Sequence, residues 1–333
     1  MTPPPPAVPA HHRPGGGFRN PWISAGAPAF SGVLKWWLVH RTTHPRPKDP
    51  PASAFPLVPA TFRAPRAGPR DITITWIGHA TTLVQMGGLN ILTDPVWSDR
   101  AAPFPPLGPR RWVRPGVAFE QLPPIDVVLQ SHNHYDHLDS RTVRRLTRAH
   151  PEIVWVAPLG VGRFFEQRGA RHVRELDWWQ ETAFRGVRIA GAPAQHFSGR
   201  RFGDRGATLW CGWALATPME HGDRRLFFAG DTGYHPEFPR IAARYGPFEV
   251  ALLPVGAYEP RWFMRYVHMN PEEAVEACRG LAARVMVPIH WGTFKLTDEA
   301  MDEPPARARA AWHAAGLPPG GYRQLAHGET LTL

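Results

Sequence analysis

The segment Ser131-His132-Asn133-His134-Tyr135-Asp136-His137-Leu138-Asp139 packs three histidines and a carboxylate between positions 132 and 137. Imidazole and carboxylate are donors that suit zinc, iron and manganese, and a loop can turn neighbouring side chains of this kind toward one point. Three further donors stand in a similar setting. Asp231 ends RLFFAGD, His290 ends RVMVPIH, and His196 follows VRIAGAPAQ. Four apolar runs thus deliver His or Asp just beyond their last residues, where ligands gather at the rim of a sheet. Seven donors exceed the four of one tetrahedral zinc and suit two metals sharing a carboxylate. Any one histidine of the 17 in this chain, met alone, would read as an ordinary surface or core residue. Their spacing is what singles these out.

The elements that must position these donors are legible in outline. DITITWI and TTLVQM, from Asp71 onward, alternate polar and apolar residues, and LNILTD follows Gly87-Gly88. The pattern predicts an antiparallel meander. Strands are then expected in IDVVLQS (125–131), IVWVAP (153–158), VRIAGAPA (187–194), TLWCGWALAT (208–217), RLFFAG (225–230), FEVALLPV (248–255) and RVMVPI (284–289). Helical patterns fall at 140–150 and 159–169. A helix is also signalled from Pro271 to Ala283, with Asn270 as N-cap, Pro271 at the first position and Glu272 and Glu273 in the first turn. Such a succession predicts one α/β domain over residues 66–333, with sheets inside and helices outside.

Residues 1–65 read differently. Pro3 to Pro6, Gly15 to Gly17 and His44 to Pro51 make this stretch an extended arm. Within it, FSGVLKWWLVH (30–40) followed by Arg41 offers Phe30, Val33, Leu34, Trp36, Trp37 and Leu38 beside Lys35, a combination that suits either interfacial membrane contact or docking on the domain. It is too short to span a bilayer, and no secretory signal is visible, so a cytoplasmic protein, either free or peripheral on the membrane, is expected. Cys211 and Cys278 show no metal-binding spacing and cannot make a disulfide framework. The net charge of +10 favours anionic partners such as phospholipid headgroups or phosphorylated substrates. Aromatic residues do not interleave with a basic stripe, which disfavours nucleic acid.

GHAT (78–81), LTDPVWSDRA (92–101), GPRR (108–111), the loop 122–139, ELDWW (175–179), FFAGDTGY (227–234), GPFEVALLPVGAYEPRWFM (246–264) and HWGTF (290–294), with NPW (20–22) and VLKWWL (33–38) in the arm, carry a further signal. Together they resemble the metallo-β-lactamase superfamily, in the branch of the N-acylphosphatidylethanolamine-hydrolysing phospholipases D. The resemblance implies an αβ/βα sandwich of two mixed sheets. It implies two Zn2+ ions, or iron or manganese in their place: one held by His132, His134 and His196, the other by Asp136, His137 and His290, with Asp231 between them. It also implies that Asp136 or Asp231 handles the proton of the attacking water, that Tyr135 and His268 contact the substrate phosphate, and that Asp94 orients a ligating histidine. His79 is expected either to support the ligands from behind or simply to pack, with packing favoured. The implied reaction is phospholipase D-type hydrolysis of a phosphodiester lipid to N-acylethanolamine and phosphatidic acid. The segment after His196, Phe-Ser-Gly-Arg-Arg, departs from the family pattern where the lipid would enter. A lactonase or another phosphoester hydrolase on the same site, and a membrane-surface binding protein with structural metals, are the alternative readings. Either a monomer or a homodimer is compatible with the sequence.

Overall fold

The computed structural model describes residues 9–23, 32, 35–104, 106–220 and 222–333. Seven strands form one sheet: β1 (Ile72–Gly78), β2 (Thr81–Met86), β3 (Leu89–Thr93), β4 (Val127–Leu129), β5 (Val154–Pro158), β6 (His172–Leu176) and, at the far edge beside β1, β13 (Thr330–Thr332). Six form the other, in the order β12-β11-β10-β9-β8-β7: β7 (Glu181–Phe184), β8 (Val187–Ala192), β9 (Gly212–Thr217), β10 (Arg224–Phe228), β11 (Val250–Pro254) and β12 (Val285–Ile289). Both sheets are mixed. The β1-β2-β3 meander is antiparallel, whereas β3 to β6 run parallel, as do β10 to β12.

Period two decides which core each side chain joins. Val127, Leu129, Val154 and Val156 face the second sheet, where they meet residues such as Ile189, Leu226 and Leu252 in the central core. Their neighbours Val128 and Trp155 point the other way, into a second core closed by helices α1 (Ser140–Ala149) and α2 (Gly162–Glu166) through Val143, Leu146 and Phe165. Each such aliphatic side chain, fully buried, contributes about 1.5–3 kcal/mol. The later α-helices are α3 (Phe238–Tyr245), α4 (Arg261–Met264), α5 (Pro271–Gly280) and α6 (Glu303–Ala314), α5 packs on β11 and α6, and the arm carries a π-helical turn at Trp36–His40 that runs into a short α-helix at Arg41–Thr43.

Several elements depart from expectation. The polar face of β1 and β2 is buried like the apolar one, because the segment before the domain lies over it: Gln85 exchanges hydrogen bonds with the backbone of Arg63, and Asn90 donates to the carbonyl of Pro65. Asn270 caps α5 as expected, accepting from the Glu273 amide, and Glu273 in turn accepts from the Asn270 amide, a reciprocal capping box beyond the sequence reading. The helix stops at Gly280, short of Ala283, since Ala282 takes a left-handed φ of 50°. Strands β6, β7 and β13 and helices α4 and α6 carry no strong periodic signal, and α3, though amphipathic with Phe238 and Ile241 buried, is only eight residues long; none of the six is among the expected elements. No helix among the described residues is long and apolar enough to cross a membrane.

Candidate metal centre

The predicted donors arrive from both sheets. His132, His134, Asp136 and His137 lie on the loop after β4 in the first sheet, while His196, Asp231 and His290 follow β8, β10 and β12 in the second. The two rims are tied together behind the site. Cys211 donates its amide to the Ser131 carbonyl (3.0 Å), and the Trp213 indole donates to the carbonyl of Gln130 (3.0 Å). Gly230, with φ of 60°, passes so close that a Cβ there would lie 2.4 Å from that of Ser131. No side chain fits at that crossing.

Two donor groups result. In one, His134 Nδ1 lies 2.9 Å from His132 Nε2 and 3.2 Å from His196 Nε2. In the other, Asp136 Oδ2 lies 3.4 Å from His137 Nε2 and 3.5 Å from His290 Nε2. Asp231 stands between them. Its Oδ2 is 3.1 Å from His137, 3.8 Å from His196 and 4.0 Å from His132, and its Oδ1 is 3.2 Å from His290. The structure thus brings together all seven residues singled out by spacing.

The rings are aimed from behind. His196 Nδ1 is held by the Val267 carbonyl (2.8 Å), His132 Nδ1 by the Ser131 hydroxyl (2.8 Å) and His137 Nδ1 by Asp94 Oδ2 (2.7 Å). Asp94 is itself fixed by the amide and hydroxyl of Ser131 and by Gln130. Asp94 reaches His137 from a turn just before Pro95, with a left-handed φ of 33°. His79 and His290 also take positive φ, 56° and 63°. Strained backbone of this kind at non-glycine residues gathers at functional sites.

For His79 the structure favours bracing over simple packing. It is buried as expected, yet its Nε2 lies 3.0 Å from Asp136 Oδ2, so it braces a predicted ligand. The GHAT position after β1 was the available signal. His268 Nδ1 comes within 4.0 Å of Asp231 Oδ2 and has no hydrogen-bond partner. Tyr135 turns aside: its hydroxyl donates to the Arg200 carbonyl (2.8 Å), Arg200 lies over its ring, and it lines a cavity of about 310 Å³ with Arg100, Arg110 and Arg141.

Electrostatics suit a cation. Burial holds His134 and His268 neutral, each with a pKa lowered to about 4, and His79 lower still, at about 3. Burial likewise drives His132 and His196 well below the usual imidazole range. Burial alone would raise Asp136 and Asp231, but His137 overrides it, with His290 contributing, and both carboxyls fall well below the carboxylate range. Conversely, burial disfavours charge on His137 and His290, yet Asp231 and Asp136 raise both, His290 to about 9. The protein without metal therefore fills its anionic centre with protons.

The donor set passes a direct test of fit. His137 Nε2, His290 Nε2 and Asp231 Oδ1 are buried and lie 3.1–3.5 Å from opposite charges, yet none makes a hydrogen bond. Their lone pairs converge on shared space instead of on one another. Orphaned buried polar atoms are costly unless something else satisfies them, and a divalent cation would do so here.

Comparison with known proteins agrees. Residues 89–291 match the Beta-lactamase superfamily domain. The chain is 42% identical over 241 residues to N-acyl-phosphatidylethanolamine-hydrolyzing phospholipase D 1 of Caenorhabditis elegans, covering 69% of this chain and 67% of that protein. It is 37% identical to the mitochondrial N-acyl-phosphatidylethanolamine-hydrolyzing phospholipase D of Saccharomyces cerevisiae, across 69% of this chain and 49% of the yeast protein. A metallo hydrolase from the archaeon Ignicoccus hospitalis shares the fold, with a TM-score of 0.59 at 23% identity over 79% of this chain and 98% of its own. The chain belongs to the metallo-β-lactamase superfamily of metal-dependent hydrolases. Within it, the sequence lies near the phospholipases D that act on N-acylphosphatidylethanolamine.

Proposed function

We propose that this protein is a dinuclear zinc phosphodiesterase that hydrolyses N-acylphosphatidylethanolamine-like lipids to N-acylethanolamine and phosphatidic acid. The observation that carries the reading is Asp231, one carboxylate facing both donor groups with its two oxygens. His132, His134 and His196 would hold one ion, Asp136, His137 and His290 the other, and Asp231 would serve both. Bound there, two divalent cations supply Lewis acidity toward a phosphoryl oxygen and make water a nucleophile near neutral pH. Asp136 and Asp231, both ionised, can accept the proton of the attacking water. His268, neutral and unpartnered beside Asp231, can donate to a phosphate oxygen. Tyr135 can do the same only by exchanging its bond to Arg200. Asp94 keeps the His137 ring turned inward. The two relatives named for this reaction support the choice of substrate.

Metal analysis of the purified protein should give two zinc ions per chain, and a lipid-extract digestion read by mass spectrometry should release N-acylethanolamine. Undiminished hydrolysis after chelation, or phosphate esters left intact while lactones open, sinks the reading.

Membrane contact through residues 30–41 belongs to the same proposal. Trp36 is buried against Met264 and Val267, which supports docking at that residue, whereas Leu38 and Val39 are exposed and Lys35 lies 5.3 Å over the ring of the part-exposed Trp262. Phe30, Val33 and Leu34 lie outside the described residues, as do the side chains of Trp37 and Arg41. A Leu38→Glu, Val39→Glu variant should lose activity on vesicles and keep it on a soluble phosphodiester. Equal activity on both excludes these two residues from the contact.

A further inference from the structure

The arm reaches the metal centre from behind. Asn20 Nδ2 donates to the backbone carbonyl of His196 (2.9 Å), and the Trp22 indole donates to Gln195 Oε1 (2.5 Å). Gln195 passes the tie on to the Tyr266 carbonyl (3.2 Å), next to the Val267 carbonyl that aims the His196 ring. At the other end of the same loop the Phe18 amide donates to Gly206 (2.7 Å), and a Cβ at Gly17 would sit 2.6 Å from that carbonyl oxygen. The opposite side of the loop is held by the β4 loop. There Gly199 donates to the Asn133 side chain, and Arg200 donates to the carbonyls of Asn133 and Leu138. The arm segment has its own anchors. His11 and His12 bond Asp177, and Trp22 stacks on Trp178 and His235 at 5.5 and 5.1 Å.

We propose that residues 9–23 are a positioning strap for His196, in which Asn20 and Trp22 act as positioning residues that keep its Nε2 aimed at His132 and His134. The inference rests on the dinuclear reading above. Its physical basis is that a ligand ring needs both its far nitrogen and its backbone fixed. Val267 supplies the first restraint and Asn20 the second. Loss of an outer partner of a ligand typically weakens metal binding by about 10- to 100-fold. A segment that only covered Trp178 would stabilise the fold without favouring either metal position.

Competition of the zinc-loaded full chain against a chromophoric chelator separates these roles. The variants are Asn20→Leu, Trp22→Phe and, as a control of similar thermal stability remote from the arm, Leu331→Ala. Asn20→Leu should weaken one of the two ions by about 10- to 100-fold and leave the other as in wild type. Trp22→Phe should show a smaller shift at the same ion. Leu331→Ala should lower the melting temperature with both affinities unchanged. Two wild-type affinities in Asn20→Leu, or both ions weakened in step, overturn the strap while leaving the dinuclear reading intact. Wild-type protein that binds a single ion overturns both. Should Asn20→Leu fail to fold, Trp22→Phe carries the comparison, since it keeps an aromatic ring for the stack and removes the indole donor.

Discussion

Two clusters of histidine and aspartate in this molecule look alike in composition and differ in what their atoms do. At Asp177, His11 and His12 each present Nε2 to a separate carboxylate oxygen, at 2.6 and 2.7 Å, and both form hydrogen bonds. At Asp231, His137 and His290 come within 3.1 and 3.2 Å of the carboxylate, while His137 Nε2, His290 Nε2 and Asp231 Oδ1 stay unbonded. The first cluster satisfies itself. The second holds donors in positions that leave them unsatisfied, which only a rigid scaffold can impose. Around Asp231, convergence without mutual bonding, more than the presence of His and Asp, sets this half of the candidate centre apart from a structural clasp; His132, His134 and His196 do bond one another through their ring nitrogens.

The sharpest break in that contrast is Asp231→Asn or His134→Ala. Each should lower turnover on the order of a thousandfold or more and reduce bound metal, since each removes a charge or donor that the cations need. Normal metal content and turnover in either variant would remove the basis for the assignment. Asp94→Asn should act more gently, retaining both ions at saturating zinc while turnover falls by about 10- to 100-fold, because it alters the aim of His137. Metal loss as complete as in His134→Ala would make Asp94 a ligand in effect.

A pH series tests the protons that fill the centre without metal. His290 is raised to about 9, so its imidazolium stabilises the metal-free fold fully below the unfolded value near 6.5, and this contribution is lost as pH rises through about 9. The gain in melting temperature on adding zinc should therefore widen from pH 6.5 to 9. A constant gain contradicts the proton-filled centre.

The smallest effect is expected at the clasp. His12→Ala should lower stability by about 1–3 kcal/mol and leave the ion at Asp136, His137 and His290 in place, with any loss small and confined to the His196 ion through the strap that His12 anchors, read by denaturant unfolding and chelator competition. Asp177 lies below the ordinary carboxylate range: burial alone would raise it, but bonds from His11 and His12 outweigh that. Its contribution is thus present above pH about 4 and lost as pH falls through the lower folded value. A clasp variant that sheds metal as Asp231→Asn does would erase the distinction between the clusters.

The sequence by itself singled out the seven candidate donors that the structure brings together, the strands β1 to β5 and β8 to β12, and the capped helix at Pro271. Donor spacing and hydrophobic period are local properties, written in neighbouring residues. The chain carries no such local signal for β6 and β7, whose burial is partial, or for α6, whose stripe is weak; these elements form because the sheet and α5 offer them surfaces to pack on. Only the tertiary structure decided that His79 braces Asp136, that Tyr135 turns to Arg200, and that Asn20 reaches the backbone of His196, 176 positions away. Each of those contacts joins segments distant in sequence. Their partners are fixed by how two sheets meet at one rim, and residue type alone leaves that meeting open.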